Sequence, residues 1–291
     1  MILIAGGTGV LGRELAAQLL AAGEGVRVLT RDPAKAERLL GGGVDIAVGD
    51  VRQPATLAQA MRGVAVVVSA VHGFLGGRGA GPQDIDVRGN AHLVDAAKTA
   101  GADVVLLSVL GASATSPIGL FRAKYAAEEQ LRASGVAWTI VRPAAYLETW
   151  IDIMRQTAKK SGRPMVFGAG KQPIAFISAM DVAAVVARAA TDAGLRGDVL
   201  EVSGPRLTMS ELAEQVQRAD GRTTAARHVP RPMLRLTAAL ARPVAPAFAR
   251  QNKAALVMDT TDLGEAAGDA FARLSLPSAR TLPAVLTDCR V

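Results

Sequence analysis

The sequence has little cysteine and little histidine for its 291 residues. A single cysteine, Cys289, excludes an internal disulfide and any zinc or iron–sulfur site built from several cysteines. The three histidines, His72, His92 and His228, lie far apart without the spacing of metal ligands, so we predict no metal. Half of the residues are hydrophobic, which is ample for a globular core and argues against disorder.

Long apolar runs are also missing. No stretch of 18 or more uncharged apolar residues occurs, which argues against a transmembrane helix. The chain begins with a strand-like run at 2–5 in place of the basic region and apolar stretch of a signal peptide. Together with the unpaired thiol, this pattern favours a cytoplasmic location.

Acidic residues are absent from residues 221–258, which we call the acid-free segment. Its seven cations account for the whole net charge of +7. These cations are Arg222, Arg227, Arg231, Arg235, Arg242, Arg250 and Lys253. A basic excess fits an acidic partner such as nucleic acid, a phosphate or a membrane surface, although a GC-rich genome also raises the arginine content.

In the first half of the chain, short apolar segments alternate with amphipathic ones. The predicted strands are 2–5, 26–30, 45–48, 65–70, 104–108 and 138–141. The predicted helices are 10–22, 33–40, 54–62, 83–100 and 120–134. Uninterrupted Val, Ile and Leu runs are typical of strands buried on both faces, and this alternation indicates right-handed crossovers. We predict an α/β fold with a doubly wound parallel sheet over 1–143.

The regular alternation of strands and helices ends after Arg142 and Pro143. The predicted elements that follow are a helix at 145–160, strands at 174–177 and 199–202, and helices at 179–191 and 212–219. Thr208 and Glu211 have the spacing of a capping box. Prolines at 230, 232, 243 and 246 predict short or kinked helices in the tail. We predict a smaller C-terminal substrate-side domain over 144–291, with some elements returning to the first sheet.

A glycine-rich turn with the pattern G-x-x-G-x-x-G follows the first strand and opens the first helix. Glycine lets the backbone approach a pyrophosphate, and the helix N-terminus supplies N–H groups and a favourable dipole. In this strand–turn–helix context the pattern predicts a Rossmann-type dinucleotide site. Its candidate cofactor residues are Gly6, Thr8, Gly9, Val10, Leu11 and Gly12.

The end of the second strand is where such a fold contacts the adenosine ribose. An acid there binds a free 2′-hydroxyl, whereas an arginine accepts a 2′-phosphate. Arg31 at this position and Lys35 one turn later favour NADPH over NADH. Asp32 leaves an alternative open, because its carboxylate either bonds the ribose or caps the helix that begins at Pro33.

Two further strand ends carry candidate contacts. Asp50 and Val51 follow the third strand, where a carboxylate accepts from an adenine amino group; an ordinary turn is the alternative for Asp50. Ala70 ends the fourth strand, where small residues let the cofactor lie against the backbone. His72 either faces the reactive ring or is an exposed loop residue.

Together these features resemble the atypical short-chain dehydrogenase/reductases, in particular the NmrA-like and isoflavone-reductase-like group. The resemblance rests on ILIAGGTGVLGR, VRVLTRDPAK, DVRGNAHLVDAAKTAG and VVLLSVLGA, and on residues 49–50, 124–143 and 200–229. It therefore covers most of the chain to about residue 229 and implies an NAD(P)-binding oxidoreductase.

The resemblance implies catalytic roles for Lys124 and Ser108. In the wider superfamily a Tyr four residues before the Lys donates a proton, the Lys holds the nicotinamide ribose, and the Ser polarises the substrate. Leu120 stands at that Tyr position, and Tyr125 points to another side of the helix. NmrA-like members commonly lack this Tyr. Lys124 either serves as the acid itself or only binds ribose.

Residues near the predicted domain junction complete the candidate site. Pro143 is assigned to the cofactor, and Tyr146 and Trp150 line an apolar substrate pocket with His72, although a core stripe explains the two aromatics equally well. We predict an NADPH-dependent oxidoreductase that transfers hydride to an apolar quinone-, enone- or aromatic-type small molecule. The alternatives are a non-catalytic NADP(H)-sensing regulator and a short-chain-dehydrogenase-like tailoring enzyme of polyketide-type secondary metabolism, either an oxygenase or a reductase.

The acid-free segment lies mostly beyond the resembling part of the chain. It holds one aromatic residue, Phe248, and no recognised module, so we expect no nucleic-acid partner. Its four prolines interrupt any membrane-surface helix, so we expect no membrane partner. We expect a surface or lid segment over the substrate cleft that meets an anionic substrate or a second subunit, which leaves a homodimer open.

Replacing Arg231, Arg235 and Arg242 by Gln is expected to leave the affinity for NADPH unchanged, because the excess charge lies outside the predicted cofactor domain. Fluorescence titration with NADPH measures this affinity. A large loss of affinity would place the acid-free segment in the cofactor site.

Overall fold

The computed structural model describes residues 1–263, 266 and 268–289. The strands are β1 (Ile2–Ala5), β2 (Val26–Thr30), β3 (Asp45–Val48), β4 (Val66–Ser69), β5 (Asp103–Leu107), β6 (Trp138–Pro143), β7 (Ala145–Tyr146), β8 (Met165–Phe167), β9 (Pro173–Ile177), β10 (Val199–Val202), β11 (Arg206–Thr208) and β12 (Arg227–Val229). The α-helices are α1 (Val10–Ala21), α2 (Pro33–Leu40), α3 (Leu57–Ala60), α4 (Asn90–Ala100), α5 (Gly119–Ala133), α6 (Leu147–Ala158), α7 (Ala179–Thr191), α8 (Met209–Ala219), α9 (Arg231–Ala241), α10 (Pro246–Thr260), α11 (Ala270–Arg273) and α12 (Leu282–Asp288).

Seven parallel strands form the main sheet, in the order β10-β6-β5-β4-β1-β2-β3. Alternate residues of β1 face opposite layers: Ile2 and Ile4 pack with α1 and α7, whereas Leu3 and Ala5 pack with α3, α4 and α5. Both faces are therefore buried, as the uninterrupted apolar strands predict. The predicted α/β, Rossmann-type doubly wound sheet is confirmed.

The strand order places a topological switch point at β1. The chain runs from β1 to β2 on one side and later returns to β4 on the other, so a crevice opens at the carboxyl ends of β1 and β4. The glycine-rich turn and the loop that contains His72 both begin there. The fold thus brings two of the predicted site segments to one edge.

Elements after residue 143 return to the main sheet. Strand β10 pairs in parallel with β6, and helix α7 packs on α1, where Gln18 Nε2 donates to the Met180 carbonyl at 3.1 Å. The other strands form a sheet in the order β11-β9-β7 and a β12-β8 pair. A separate core holds this second part together; Leu147, Phe176 and Leu212 are fully buried in it.

Three sequence predictions are wrong in detail. The predicted helix 83–100 begins with a π-helical turn over Gln83–Gly89 before it continues as α4. The predicted helix from residue 145 begins at Leu147, because Ala145 and Tyr146 pair with β9 as strand β7. The tail prolines do not shorten the helices: α10 runs for 15 residues.

The reason lies in where the tail prolines stand. Pro230 is the residue before α9, Pro232 lies in its first turn, and Pro246 opens α10. A proline at these positions removes an N–H that has no intrahelical partner, so it starts a helix instead of breaking it.

Among the described helices, none is both long and apolar enough to cross a lipid bilayer.

Candidate functional site

The glycine-rich turn fits tightly against the end of β4. Gly6 has φ +95°, and a Cβ placed on it would lie 2.7 Å from the Ala70 carbonyl oxygen. A Cβ on Gly12 would lie 2.3 Å from the Gly6 oxygen and 2.5 Å from Gly7 Cα. No side chain fits at either position, so the glycines are a steric requirement. This contact puts Ala70 beside the turn.

The first turn of α1 faces the crevice. Gly9 is the residue before the helix, and within the described chain no side chain caps its N–H groups. Thr8 and Val10 lie at the surface beside it, whereas Leu11 is buried against the core. An uncapped helix N-terminus in a glycine cradle fits a pyrophosphate, which the backbone of Leu11 and Gly12 would bind.

The end of β2 holds two kinds of candidate contact for the adenosine ribose, the Asp32 carboxylate and the cations Arg31 and Lys35, and the structure gives them different surroundings. Asp32 Oδ1 accepts from the Lys35 backbone N–H at 2.9 Å, so its carboxylate caps α2. The side chains of Arg31 and Lys35 are exposed beside it. Capping is therefore the role of Asp32 seen in the structure, and the cations are the groups open to a ligand.

Asp50 is engaged with a neighbour. Its Oδ1 accepts from the Arg52 backbone N–H at 2.9 Å, and its Oδ2 lies 2.5 Å from Arg52 Nη2. The hydrogen bond from Arg52 lowers the pKa of Asp50. The turn role of Asp50 is thus present, while its contact with adenine stays a prediction. Val51 is buried next to it, and its carbonyl oxygen accepts a hydrogen bond from His92 Nδ1 at 2.7 Å.

A buried ion pair lies under the end of β4. Lys124 Nζ is 3.0 Å from Asp86 Oδ1, and the two side chains are 5% and 0% exposed. Lys124 Nζ also donates to the Val71 carbonyl at 2.8 Å, and Asp86 Oδ2 accepts from the Gly73 N–H at 2.8 Å. The pair therefore holds the backbone on both sides of His72.

Asp86 is the site residue that sequence reasoning missed. The π-helical turn directs it inward, and Asn90 supports it, because Asn90 Nδ2 donates to the Asp86 carbonyl at 2.7 Å. Ser69 Oγ donates to Asn90 Oδ1 at 2.5 Å and ties this turn to β4. The signal was available: Asp86 opens the resembling segment DVRGN, and a buried lysine requires a countercharge.

Ser108 belongs to a second buried network. Its hydroxyl donates to Glu128 Oε1, and Glu128 also accepts from Arg142 Nε at 2.9 Å and Nη2 at 2.6 Å. Glu128 is fully buried, and these contacts raise the pKa of Arg142. The hydroxyl hydrogen of Ser108 thus points to Glu128, and its role toward a substrate stays a prediction. Pro143, the last residue of β6, is buried nearby.

His72 is exposed at the crevice between Val71 and Gly73. The surrounding protein disfavours its charged form and lowers its pKa, Lys124 lowers it further, and Asp86 acts in the opposite direction. This shift favours the neutral form of the ring. Arg250 of α10 donates to the Phe74 carbonyl at 3.2 Å and fastens the loop that follows.

Tyr146 and Trp150 lie on different cores. Tyr146 packs against the main-sheet core, and burial raises its pKa. Trp150 packs with the second core and lines a small cavity with Met209, Ala255 and Met258. Each aromatic is packed against the core of its own part of the molecule. Their predicted contact with substrate stays a prediction.

The geometry can be compared with known proteins. Residues 6–193 match the family model described as NAD(P)H-binding. The chain is 35% identical to NAD(P)H azoreductase from Xenophilus azovorans over 227 residues. This aligned region covers 76% of this chain and 74% of that protein. The chain is also 29% identical over 225 residues to quinone oxidoreductase 2 from Escherichia coli (strain K12), and this aligned region covers 76% of this chain and 75% of that protein.

A solved structure shares the fold over the whole length. The NADPH-dependent quinone oxidoreductase from Escherichia coli, crystallised with NADPH, superposes with a TM-score of 0.80 and covers 99% of both chains. Because the sequence identity is 24%, this similarity shows a shared fold only.

Replacing Asp86 by Asn is expected to lower the free energy of unfolding by about 3–5 kcal/mol, because Lys124 would stay buried without a countercharge. Chemical denaturation followed by circular dichroism measures this change. Asp95→Asn, at an exposed position on α4, is the matched control and should change stability by less than about 0.5 kcal/mol. An equally small effect of Asp86→Asn would contradict the structural role of the pair.

Proposed function

The chain belongs to the NAD(P)H-binding, atypical short-chain dehydrogenase/reductase family and is an NAD(P)H-dependent oxidoreductase; we propose that it takes NADPH and reduces apolar quinone-, enone- or aromatic-type acceptors. The observation that carries this proposal is the surroundings of Lys124. A buried cation stands at the crevice, but the position four residues earlier holds Leu120 in place of a phenol.

The two tyrosines do not replace that phenol. Leu120 packs in a cluster with Ile118, Ala254 and Val257. Tyr125 is the next residue along α5 and is half-buried on another side of the helix. Tyr146 holds its proton tightly, because burial raises its pKa. The chain therefore suits acceptors that need no strong buried acid.

Reduced nicotinamide, when bound, supplies a hydride from C4. A quinone that gains this hydride and one proton from water becomes a hydroquinone, and its ring delocalises the negative charge before the proton arrives. Lys124 would hold the nicotinamide ribose and offset that charge. The ring of His72 is exposed at the same edge and would hydrogen-bond the acceptor.

The preference for NADPH rests on the end of β2. Asp32 is occupied as the cap of α2, so it is a poor partner for a free 2′-hydroxyl. Arg31 and Lys35 are exposed there and fit a 2′-phosphate. The E. coli neighbour was crystallised with NADPH, which supports the same choice.

The relatives support the acceptor class. By name, one reduces azo compounds and the other reduces quinones. Quinones and azo compounds are both conjugated acceptors, the class that the proposal names.

NADPH consumption with a panel of quinones, an azo dye and simple ketones tests the proposal. Turnover is expected with a quinone or the dye and not with the ketones. Lys124→Met is expected to lower kcat/KM by about 100-fold or more, whereas Lys160→Met, at an exposed position, should not change it. Tight NADP⁺ binding without turnover on any acceptor would favour the sensor, and oxygen uptake that depends on NADPH and substrate would favour the tailoring oxygenase.

Arg31→Ala is expected to weaken NADPH binding by about 10–100-fold and to leave NADH binding unchanged, because only NADPH carries the phosphate that the guanidinium would bind. Isothermal titration with each cofactor measures the two affinities. Arg38→Ala in the last turn of α2 is the control and should affect neither. An equal loss for both cofactors would contradict the assignment of Arg31.

A further inference from the structure

The acid-free segment exposes a row of large apolar side chains. Within the described chain, five of the eleven exposed large hydrophobic residues fall between 233 and 248. They are Met233, Leu236, Leu240, Val244 and Phe248, and each is at least 49% exposed. The other six are scattered singly, which is ordinary for a protein surface.

Three of these residues lie on the exposed side of α9, and the other two follow it in the chain. Met233, Leu236 and Leu240 recur at the spacing of one side of α9, Val244 lies in the turn between the helices, and Phe248 lies in the first turn of α10. On the side of α9 that packs on α10, Leu234 is buried and Thr237 Oγ1 accepts from Asn252 Nδ2 at 3.1 Å. The outer row is therefore not needed for the contact between α9 and α10.

Cations accompany the apolar row. Arg235 of α9 and Arg242, the residue that follows α9, are exposed, and neither has an ion-pair partner among the residues that the structure describes. Arg231 is held by Asp259, with Nε 2.5 Å from Oδ2. Since residues 221–258 contain no acid, every charged side chain that the segment itself places beside the row is a cation.

We propose that this face, Met233, Leu236, Leu240, Val244 and Phe248 with Arg235 and Arg242, docks on the surface of an anionic phospholipid bilayer. Apolar side chains that enter the boundary of the acyl region, with arginines at the phosphates, are the requirements of an interfacial helix. The prolines leave both helices intact: Pro232 and Pro246 lie in the first turns of α9 and α10, and Pro243 lies in the turn between them.

A second copy of the chain fits the same face poorly. A twofold contact would set the face against itself, so that the same set of cations would lie on both sides of the interface. No acid in the segment could pair with them. The charge thus favours the bilayer over a symmetric dimer.

The docking face lies on elements that also contact the candidate site. Arg250 of α10 donates to the Phe74 carbonyl in the loop after His72, and Ala255 and Met258 line the cavity beside Trp150. Bilayer docking would bring this side of the site to the lipid. An apolar acceptor that partitions into the bilayer would be delivered there; this consequence alone rests on the proposed function.

Co-sedimentation with vesicles of phosphatidylcholine, with and without phosphatidylglycerol, tests the docking. Binding is expected only with the anionic vesicles and should weaken as salt increases. The variants Leu236→Ser/Leu240→Ser and Arg235→Gln/Arg242→Gln are each expected to weaken it by about tenfold or more. Val48→Ser and Arg38→Gln, at exposed positions far along the chain, are the matched controls and should bind as the parent does.

NADPH binding by all variants checks that they are folded, and turnover on a soluble quinone tests the proposed function separately. Failure to bind anionic vesicles, or undiminished binding by the leucine variant, would overturn the docking proposal while leaving the enzymatic one intact. A dimer in light scattering that Leu240→Ser dissociates would assign the face to a second copy and would also overturn it.

Discussion

The ion pair between Lys124 and Asp86 is the interaction on which the site depends. It joins α5 to the π-helical turn before α4, and each partner also holds one backbone group of the loop after β4. Two charges in the interior are tolerable only as a pair with further hydrogen bonds, and both have them. These hydrogen bonds offset the cost of burying the two charges. They also fix the backbone at Val71 and Gly73, so the loop that carries His72 is held in one position at the crevice.

Two other contacts fix the part of the crevice that the ion pair does not touch. The glycine-rich turn approaches Ala70 more closely than any side chain permits, which sets the distance between β1 and β4 at their carboxyl ends. The Glu128 carboxylate gathers Ser108 and Arg142 below the surface and ties α5 to β5 and β6. Steric contact on one side and buried charge on the other together fix the two walls of the crevice, and Arg250 of α10 donates to the loop that follows His72.

Much of this could be predicted from the sequence, since the responsible signals are local. Strand β1 and helix α2 begin and end at the predicted residues, because an apolar run and a cap such as Asp32 act within a few positions. The capping box of Thr208 and Glu211 is present for the same reason. The π-helical turn was not predicted, because the local pattern is that of a helix and Lys124, the buried partner of Asp86, lies 38 positions away in the chain. The tail helices were misjudged because the effect of a proline depends on the turn in which it falls.

By itself the sequence determined the alternating fold, the glycine cradle, the cations after β2 and the missing phenol, all of which are properties of residue type and short spacing. The tertiary structure decided which charges are paired: Asp86 with Lys124, Glu128 with Ser108 and Arg142, and Asp50 with Arg52. It also decided that Tyr146 and Trp150 lie on separate cores and that α9 turns an apolar row outward. The physical reason is that burial and partnership depend on segments distant in the chain, which only the packed fold brings within the few ångströms over which these interactions act.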